Sequence, residues 1–417
     1  MLEDSLQDLY FPTREQNLKH DLLSRIFCMK IVLLTSRFPY PLEKGDKLRV
    51  YNFIRQLSIK NEIILVAVNA GEVSRENYLH MKQYCSEIHL FRLSKLDLGI
   101  NLIRAGLNGL PFQVGIFYKR KITSDIQKII NDANPDAVFC HLIRMSEYVK
   151  EINKYTKTLD YMDAFSKGIE RWSEQSTFFL KKSFLQNEHK RLVMYEREVF
   201  DKFDRKIIIS EQDRTLIPHS EREKIAVIPN GVDTEQFYPL EIEKKYDLLF
   251  TGNMGYPPNV ESALYTIRNI FPEVRKKIPE INLLVAGINS PGELKDSASG
   301  NIHVIEKFSH IREAFAQCRI MLAPMLISIG LQNKILQAMA MKIPVICSPL
   351  ANNAVKAPVN KCILEAESVE EYTEKIRMVL SDRKFAETLT ENAFDFVIKN
   401  YNWKKISEKL ESIICSN

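Results

Sequence analysis

Short apolar runs rich in β-branched residues alternate with longer helical stretches along most of the chain, the pattern of parallel strands joined by helical crossovers. The alternation begins at Ile31-Val32-Leu33-Leu34; residues 1–28 are charged and lack periodicity. Two readings of that leading segment stand: Met29 is the true start, or 1–28 is an arm packed on the surface. In the first half, strands are predicted at 31–35, 63–68, 87–91, 136–140, 158–162, 206–209 and 225–228, interrupted by one long helical region over about 165–203. The second half repeats the scheme with strands at 247–251, 282–286, 302–305, 319–323, 343–347 and 361–364. Its predicted helices include 259–270 after the first strand and 331–341 after the fourth. Between the halves, the turn at 228–233 and the charged stretch 239–245 carry no strand or helix signal and predict an interdomain linker.

This pattern predicts an α/β fold of two doubly wound, Rossmann-like domains, 29–238 and 246–400, followed by a helix at 401–417 that packs back on the first domain. A cleft between the carboxyl ends of the two sheets is where open α/β sheets bind ligands. With 417 residues and 45% hydrophobic composition the chain has enough apolar material for two cores. Its longest apolar runs, such as 63–68, are far short of the roughly 20 residues that span a bilayer. The seven cysteines are scattered singly with no C-x-x-C, the pattern of reduced core thiols in a cytosolic protein. A net charge of +5 is compatible with a phosphorylated or membrane-surface ligand without demanding one.

Glycine changes the picture most. Fourteen glycines is about half the usual share, so each one more often marks a backbone position that needs it. None forms G-x-G-x-x-G or the Walker phosphate loop, which argues against an ordinary Rossmann dehydrogenase and a P-loop NTPase. Four of them, Gly45, Gly252, Gly255 and Gly330, fall at predicted strand-to-helix mouths of the cleft. Gly330 opens the densest constellation, running through Leu331, Gln332, Asn333 and Lys334 to Gln337. A helix starting at Gly330 would aim its free N–H groups at an anion. Lys334 would add a point charge and Asn333 a neutral donor. The bland alternative is a solvated helix start with Lys334 merely exposed.

The run 330–340 before Ile343-Pro344-Val345-Ile346 resembles the nucleotide-sugar signature of glycosyltransferase family 4, in its bacterial exopolysaccharide branch. The segments 38–49, 228–233 and 250–261 agree with it, collinearly over 29–415. The resemblance implies a GT-B fold, a nucleotide-sugar donor, UDP-linked, in the C-terminal domain, and an acceptor in the N-terminal domain. It also implies retention at the anomeric carbon and a role in surface polysaccharide or glycoconjugate synthesis. The donor site would be Gly45, Asp46, Gly252, Asn253, Gly255, Phe308, Gly330, Leu331, Asn333, Lys334 and Gln337, with no cofactor and no metal. Two departures stand out. The family's paired glutamates are replaced here by Ile329 and Gln337, and a common diphosphate-binding arginine by Asn253. The loss of carboxylate charge weakens hydrogen bonding, since charge-assisted bonds are roughly twice as strong as neutral ones.

Further candidates lie at strand ends of the first domain. His141 follows Ala137-Val138-Phe139-Cys140, where relatives place a residue touching the donor sugar; the alternative is a core or helix-start histidine. Asp163 would orient or deprotonate an acceptor hydroxyl, or else cap the following helix. Asp46 has the same capping alternative, and Gly252 with Gly255 can be a plain turn. The aromatic and basic residues of 165–206 suit either contact with anionic lipid, reaching a polyprenyl-linked acceptor, or a core-packed stripe under a solvated face. Acidic residues interleaved there disfavour nucleic acid. No H-E-x-x-H or D-x-D occurs. The reading is a metal-independent glycosyltransferase of the cytoplasm, with peripheral contact at the inner membrane face if the lipid reading of 165–206 holds. A catalytically weak GT-B partner or glycan-binding protein, and a UDP-sugar 2-epimerase, are the alternatives.

Overall fold

The computed structural model describes residues 29–176, 178–326 and 330–415; the leading segment 1–28 lies outside the described residues. Two wholly parallel sheets follow one another along the chain. The first contains β1 (Lys30–Thr35), β2 (Glu62–Ala70), β3 (Glu87–Leu93), β4 (Ala137–His141), β5 (Thr156–Asp160), β6 (Arg205–Ile208) and β7 (Ala226–Val227). Its strand order is β3-β2-β1-β4-β5-β6-β7. The second contains β8 (Tyr246–Thr251), β9 (Leu283–Ala286), β10 (Ile302–Ile305), β11 (Cys318–Ala323), β12 (Val345–Cys347) and β13 (Leu364–Glu365), in the order β10-β9-β8-β11-β12-β13. Both sheets reverse winding next to their first strand, between β1 and β4 and between β8 and β11. The loops leaving those strands therefore diverge and leave a crevice.

Burial follows the pleat. In β1, Val32 and Leu34 face one core while Ile31 and Leu33 face the other. In β8, Leu249 joins one layer and Leu248 and Phe250 the opposite one. Both faces of each sheet are covered, which is why their strands read as near-continuous apolar runs. The described cysteines are unpaired, and all but Cys415 are buried.

The helices used below are α1 (Gly45–Leu57), α2 (Phe165–Gln175), α3 (Phe179–Phe200), α4 (Asn333–Ala340) and α5 (Trp403–Cys415). The helical region predicted as one unit over 165–203 is two helices, because Ser176 and Phe178 take extended backbone between them. Along α3 the two readings of its aromatic residues divide by position. Leu185, Leu192, Tyr195, Val199 and Phe200 are buried, whereas Phe178, Phe179, Leu180 and Phe184 at the start are exposed. The start of α4 also differs from the prediction. Gly330 has φ +67°, a left-handed conformation that cannot begin a helix, so the helix begins three residues later.

After crossing to the second domain the chain returns. Helix α5 buries Trp403, Ile406, Leu410 and Ile414 in a core layer of the first domain, with Trp403 edge-on to Phe53 of α1 at 5.8 Å. The predicted linker turn is part of this packing: Val232 N–H donates to the Tyr401 carbonyl at 2.8 Å. A Cβ on Gly231 would lie 2.8 Å from the Trp403 ring and 2.9 Å from its backbone nitrogen. Gly231→Ala is therefore expected to destabilise the protein by about 1–3 kcal/mol, the usual cost of overpacking. Denaturant unfolding checks this, and wild-type stability would mean that α5 shifts away freely.

Candidate functional site

A buried polar chain runs from the strand ends of the first domain to the second. Arg49, on α1, is fully buried. Its Nε and Nη2 donate to the two Asp160 carboxylate oxygens at 2.8 and 3.0 Å. Its Nη1 donates to the Ile228 carbonyl at 2.8 Å and to Asn230 Oδ1 at 3.0 Å. Asn230 Nδ2 in turn donates to Asn333 Oδ1 at 3.1 Å, at the first residue of α4. Asp160 also meets His141 Nδ1 at 2.9 Å, and the other imidazole nitrogen lies 3.1 Å from the Asp46 carbonyl oxygen. Burial would raise the Asp160 pKa, but the Arg49 charge and the His141 contact outweigh it and hold the carboxyl at about 2.

This places His141 differently from the sequence expectation of a side chain facing the cleft. It is 1% exposed, with both nitrogens engaged, and it braces the loop after β1 from behind. In that loop, a Cβ on Gly45 would lie 3.4 Å from Met162 and 4.0 Å from Asn333 across the cleft. These are ordinary van der Waals distances, so a small side chain would fit at position 45 and the loop lies against α4 without being forced to glycine. Asp46 sits in the first turn of α1 and makes no cap; its carboxylate pairs with Arg37. Burial opposes ionisation of Asp46, yet Arg37, Arg144 and His141 together keep its pKa below the ordinary value.

On the facing side, the loop after β8 is drawn tight. A Cβ on Gly252 would lie 2.8 Å from the Asn259 amide, and one on Gly255 3.0 Å from Asn253 Oδ1. Asn253 Oδ1 accepts from Gly255 N–H at 2.9 Å and from Asn289 at 3.2 Å, while its Nδ2 donates across the cleft to the Glu43 carbonyl at 3.1 Å. Asn259 donates to the Asn253 carbonyl at 3.0 Å and accepts from Lys334 Nζ at 2.9 Å. Lys334 is thus buried rather than solvated, its ammonium 4.8 Å from the Phe250 ring centroid. Burial with no carboxylate partner lowers its pKa to about 7.

The other residues expected in the donor site spread out around this point. Gly330 N–H reaches Asp213 of the first domain at 3.3 Å. Leu331 is in the core of the second domain, and Phe308 packs against the same core from the loop after β10. Gln337 and Asn333 line a void of about 20 Å³ with Leu42, Leu48 and Trp403, room for a water molecule but not for a ribose in this arrangement. Ile329 lies outside the described residues.

A cavity of about 260 Å³ opens beside these loops, between α2 and the segment after Gly255. Asp163, Phe165, Trp172, Tyr256, Glu261 and Arg144 are among its walls. Asp163 does not cap α2. Burial first, then the neighbouring Asp213 carboxylate, push its pKa up to about 8 against the pull of Arg144. A carboxyl so placed holds its proton at neutral pH and is a stronger base once it loses it. Arg144 escaped the sequence reading, although it lies three residues beyond His141 on the same strand exit. Among the described residues, no group of three or more His, Cys, Asp or Glu is placed to hold a metal ion. No described helix is long and apolar enough to cross a membrane.

Residues 245–382 match the family model described as Glycosyl transferases group 1. Over 403 residues the chain is 24% identical to an uncharacterized 44.6 kDa protein in the cps region of Klebsiella pneumoniae, covering 90% of this chain and 97% of that protein. Among solved structures it is similar to sucrose-phosphate synthase from Thermosynechococcus elongatus, with TM-score 0.68, 14% identity and coverage of 92% and 98% of the two chains. It is also similar to HepE of Anabaena in complex with UDP and glucose, with TM-score 0.65, 13% identity and coverage of 92% and 98%. The architecture is GT-B, and the match to the group 1 glycosyltransferase model falls in its second domain.

Proposed function

We propose that the protein is a retaining, metal-independent glycosyltransferase that moves a sugar from a UDP-linked donor to a glycan or polyprenyl-linked acceptor in bacterial surface polysaccharide synthesis. The observation that carries this reading is the meeting of three elements at one crevice. They are Lys334 in the first turn of α4, the tight loop at Gly252 and Gly255, and the Gly45 loop of the facing domain. In this reading the donor diphosphate takes its countercharge from Lys334 and from backbone N–H groups of the glycine loops and the α4 start. The acceptor hydroxyl comes from the 260 Å³ cavity, with Asp163 orienting it. The acceptor oxygen bonds to the anomeric carbon as the carbon–oxygen bond to the diphosphate breaks on the same face. The hydroxyl proton leaves with the departing phosphate oxygen.

The cps-region relative supports the polysaccharide setting, and the UDP complex of HepE supports the choice of base. Exposed Phe178, Phe179, Leu180 and Phe184 beside Lys181 and Lys182 support a peripheral contact with anionic lipid. A panel of UDP-, GDP- and ADP-sugars, read as nucleotide release and as calorimetric binding, tests the assignment. Release from UDP-sugars is the expected result. No turnover and no binding of any nucleotide would leave the second reading, a catalytically weak GT-B partner. That reading is motivated by Asn253, whose amide is spent on Glu43, Gly255 and Asn289.

A further inference from the structure

Arg144 is anomalous among the arginines of the cleft. Its Nη2 donates to Gln113 Oε1 at 2.7 Å, but its Nε is buried with no hydrogen-bond partner. Arg37 and Arg49 each hold a carboxylate; Arg144 has no carboxylate within 4.0 Å among the described residues, and the rings of Phe165 and Phe117 flank it at 4.9 and 5.4 Å. The acidic group that most obviously belongs to it, Asp46, is spent on Arg37. A half-buried cation with no carboxylate partner is unfavourable, and a guanidinium in that condition is suited to hold a planar or tetrahedral oxyanion. The cavity in front of it has an apolar wall of Ile169, Trp172, Pro257 and Pro258. Such a wall fits the C–H face of a pyranose. At about 260 Å³ it is smaller than the roughly 300–1,000 Å³ of ordinary ligand pockets, which suits a single sugar ring.

We infer that this cavity selects an acceptor sugar bearing a negative charge, with Arg144 as the residue that binds the charged group. The inference rests on the glycosyltransferase reading for the word acceptor, but the binding preference is measurable without turnover. Two sources share the chemistry: the carboxylate of a uronic acid and the phosphate attached to a carrier-linked sugar.

The chain has two tryptophans, and one of them, Trp172, lines the cavity, while Trp403 is buried against α1. Trp172 emission therefore reports occupancy, with Trp172→Phe as the blank. Glucuronic acid, glucose 1-phosphate and glucose are titrated separately into the full chain. At least one charged sugar is expected to bind about tenfold or more tighter than glucose, and the tighter of the two identifies the source. In Arg144→Gln that preference should vanish while glucose affinity and UDP binding stay at wild-type values; Arg144→Lys, which keeps the charge, should retain part of it. Equal wild-type affinities for charged and neutral sugars, no response to the charged sugars, or a preference that survives in Arg144→Gln would overturn the inference. The wild-type comparison decides alone if Arg144→Gln fails to fold. Failure of UDP binding in the wild-type protein counts against the transferase reading and leaves the sugar preference to be judged separately.

Discussion

Lys334→Ala is expected to lower sugar transfer by about tenfold or more, within the range seen when one donor to a developing oxyanion is removed. The reason is local. Lys334 lies in the first turn of α4, and Asn253 in the loop after β8 carries no charge and spends its amide on the Glu43 carbonyl. Its surroundings add a second expectation that a solvated lysine would not give. Burial lowers its pKa to about 7, so near neutrality a sizeable fraction is uncharged. A bound diphosphate favours the ammonium and raises that pKa. Nucleotide binding should then take up a proton above pH 7, and UDP affinity should fall with rising pH, by up to about tenfold per unit. Calorimetry with UDP between pH 6 and 9 measures this. Lys334→Met, which keeps the volume beside Phe250 and Met325, should flatten the pH dependence as well as weaken binding. A pH-independent wild-type affinity, or wild-type transfer rates in Lys334→Ala with the fold intact, would remove Lys334 from the site.

The central strands were legible because each sheet is buried on both faces, which leaves near-continuous apolar runs such as 63–68, and the predicted edges fall within a few residues of the observed ones. The glycines at the exit of β8 were legible for a related reason: the loop is tight enough that a Cβ on Gly252 would meet the Asn259 side chain at 2.8 Å. What stayed hidden depends on partners far along the chain. His141 was readable as a strand-end histidine, but its ring is held by Asp160 and by the Asp46 carbonyl 95 positions earlier. Gly330 was readable as a phosphate-approach glycine, but its positive φ moves the helix start onto Asn333 and turns its N–H toward Asp213. Arg144 went unnoticed because nothing in its neighbours announces that it will lack a carboxylate. The absence of an ion pair is a property of the fold alone.

The Arg49–Asp160 pair should dominate the stability of the first domain. Asp160→Ala leaves the Arg49 charge buried at a site where both groups are fully inaccessible, and a loss of about 3–5 kcal/mol is expected at pH 7. Arg49→Met should cost a similar amount, since it strands the carboxylate and frees Ile228 O and Asn230. The double variant removes both charges, so its loss should be smaller than the sum of the single losses, and that difference measures the coupling. Additive losses would mean the two residues act independently. The pair also fixes a pH signature. Asp160 titrates at about 2 in the folded protein, below its unfolded value of 3.8, so its contribution is complete above about pH 4 and is lost as pH falls toward 2. The shift corresponds to about 2 kcal/mol, which the Asp160→Ala variant should no longer lose on acidification. Because Asn230 continues the network to Asn333, Asp160→Asn should also loosen the start of α4 and weaken UDP binding, even though the carboxamide touches no ligand. Undiminished UDP affinity in a folded Asp160→Asn protein would confine the network to stability and detach it from the donor site.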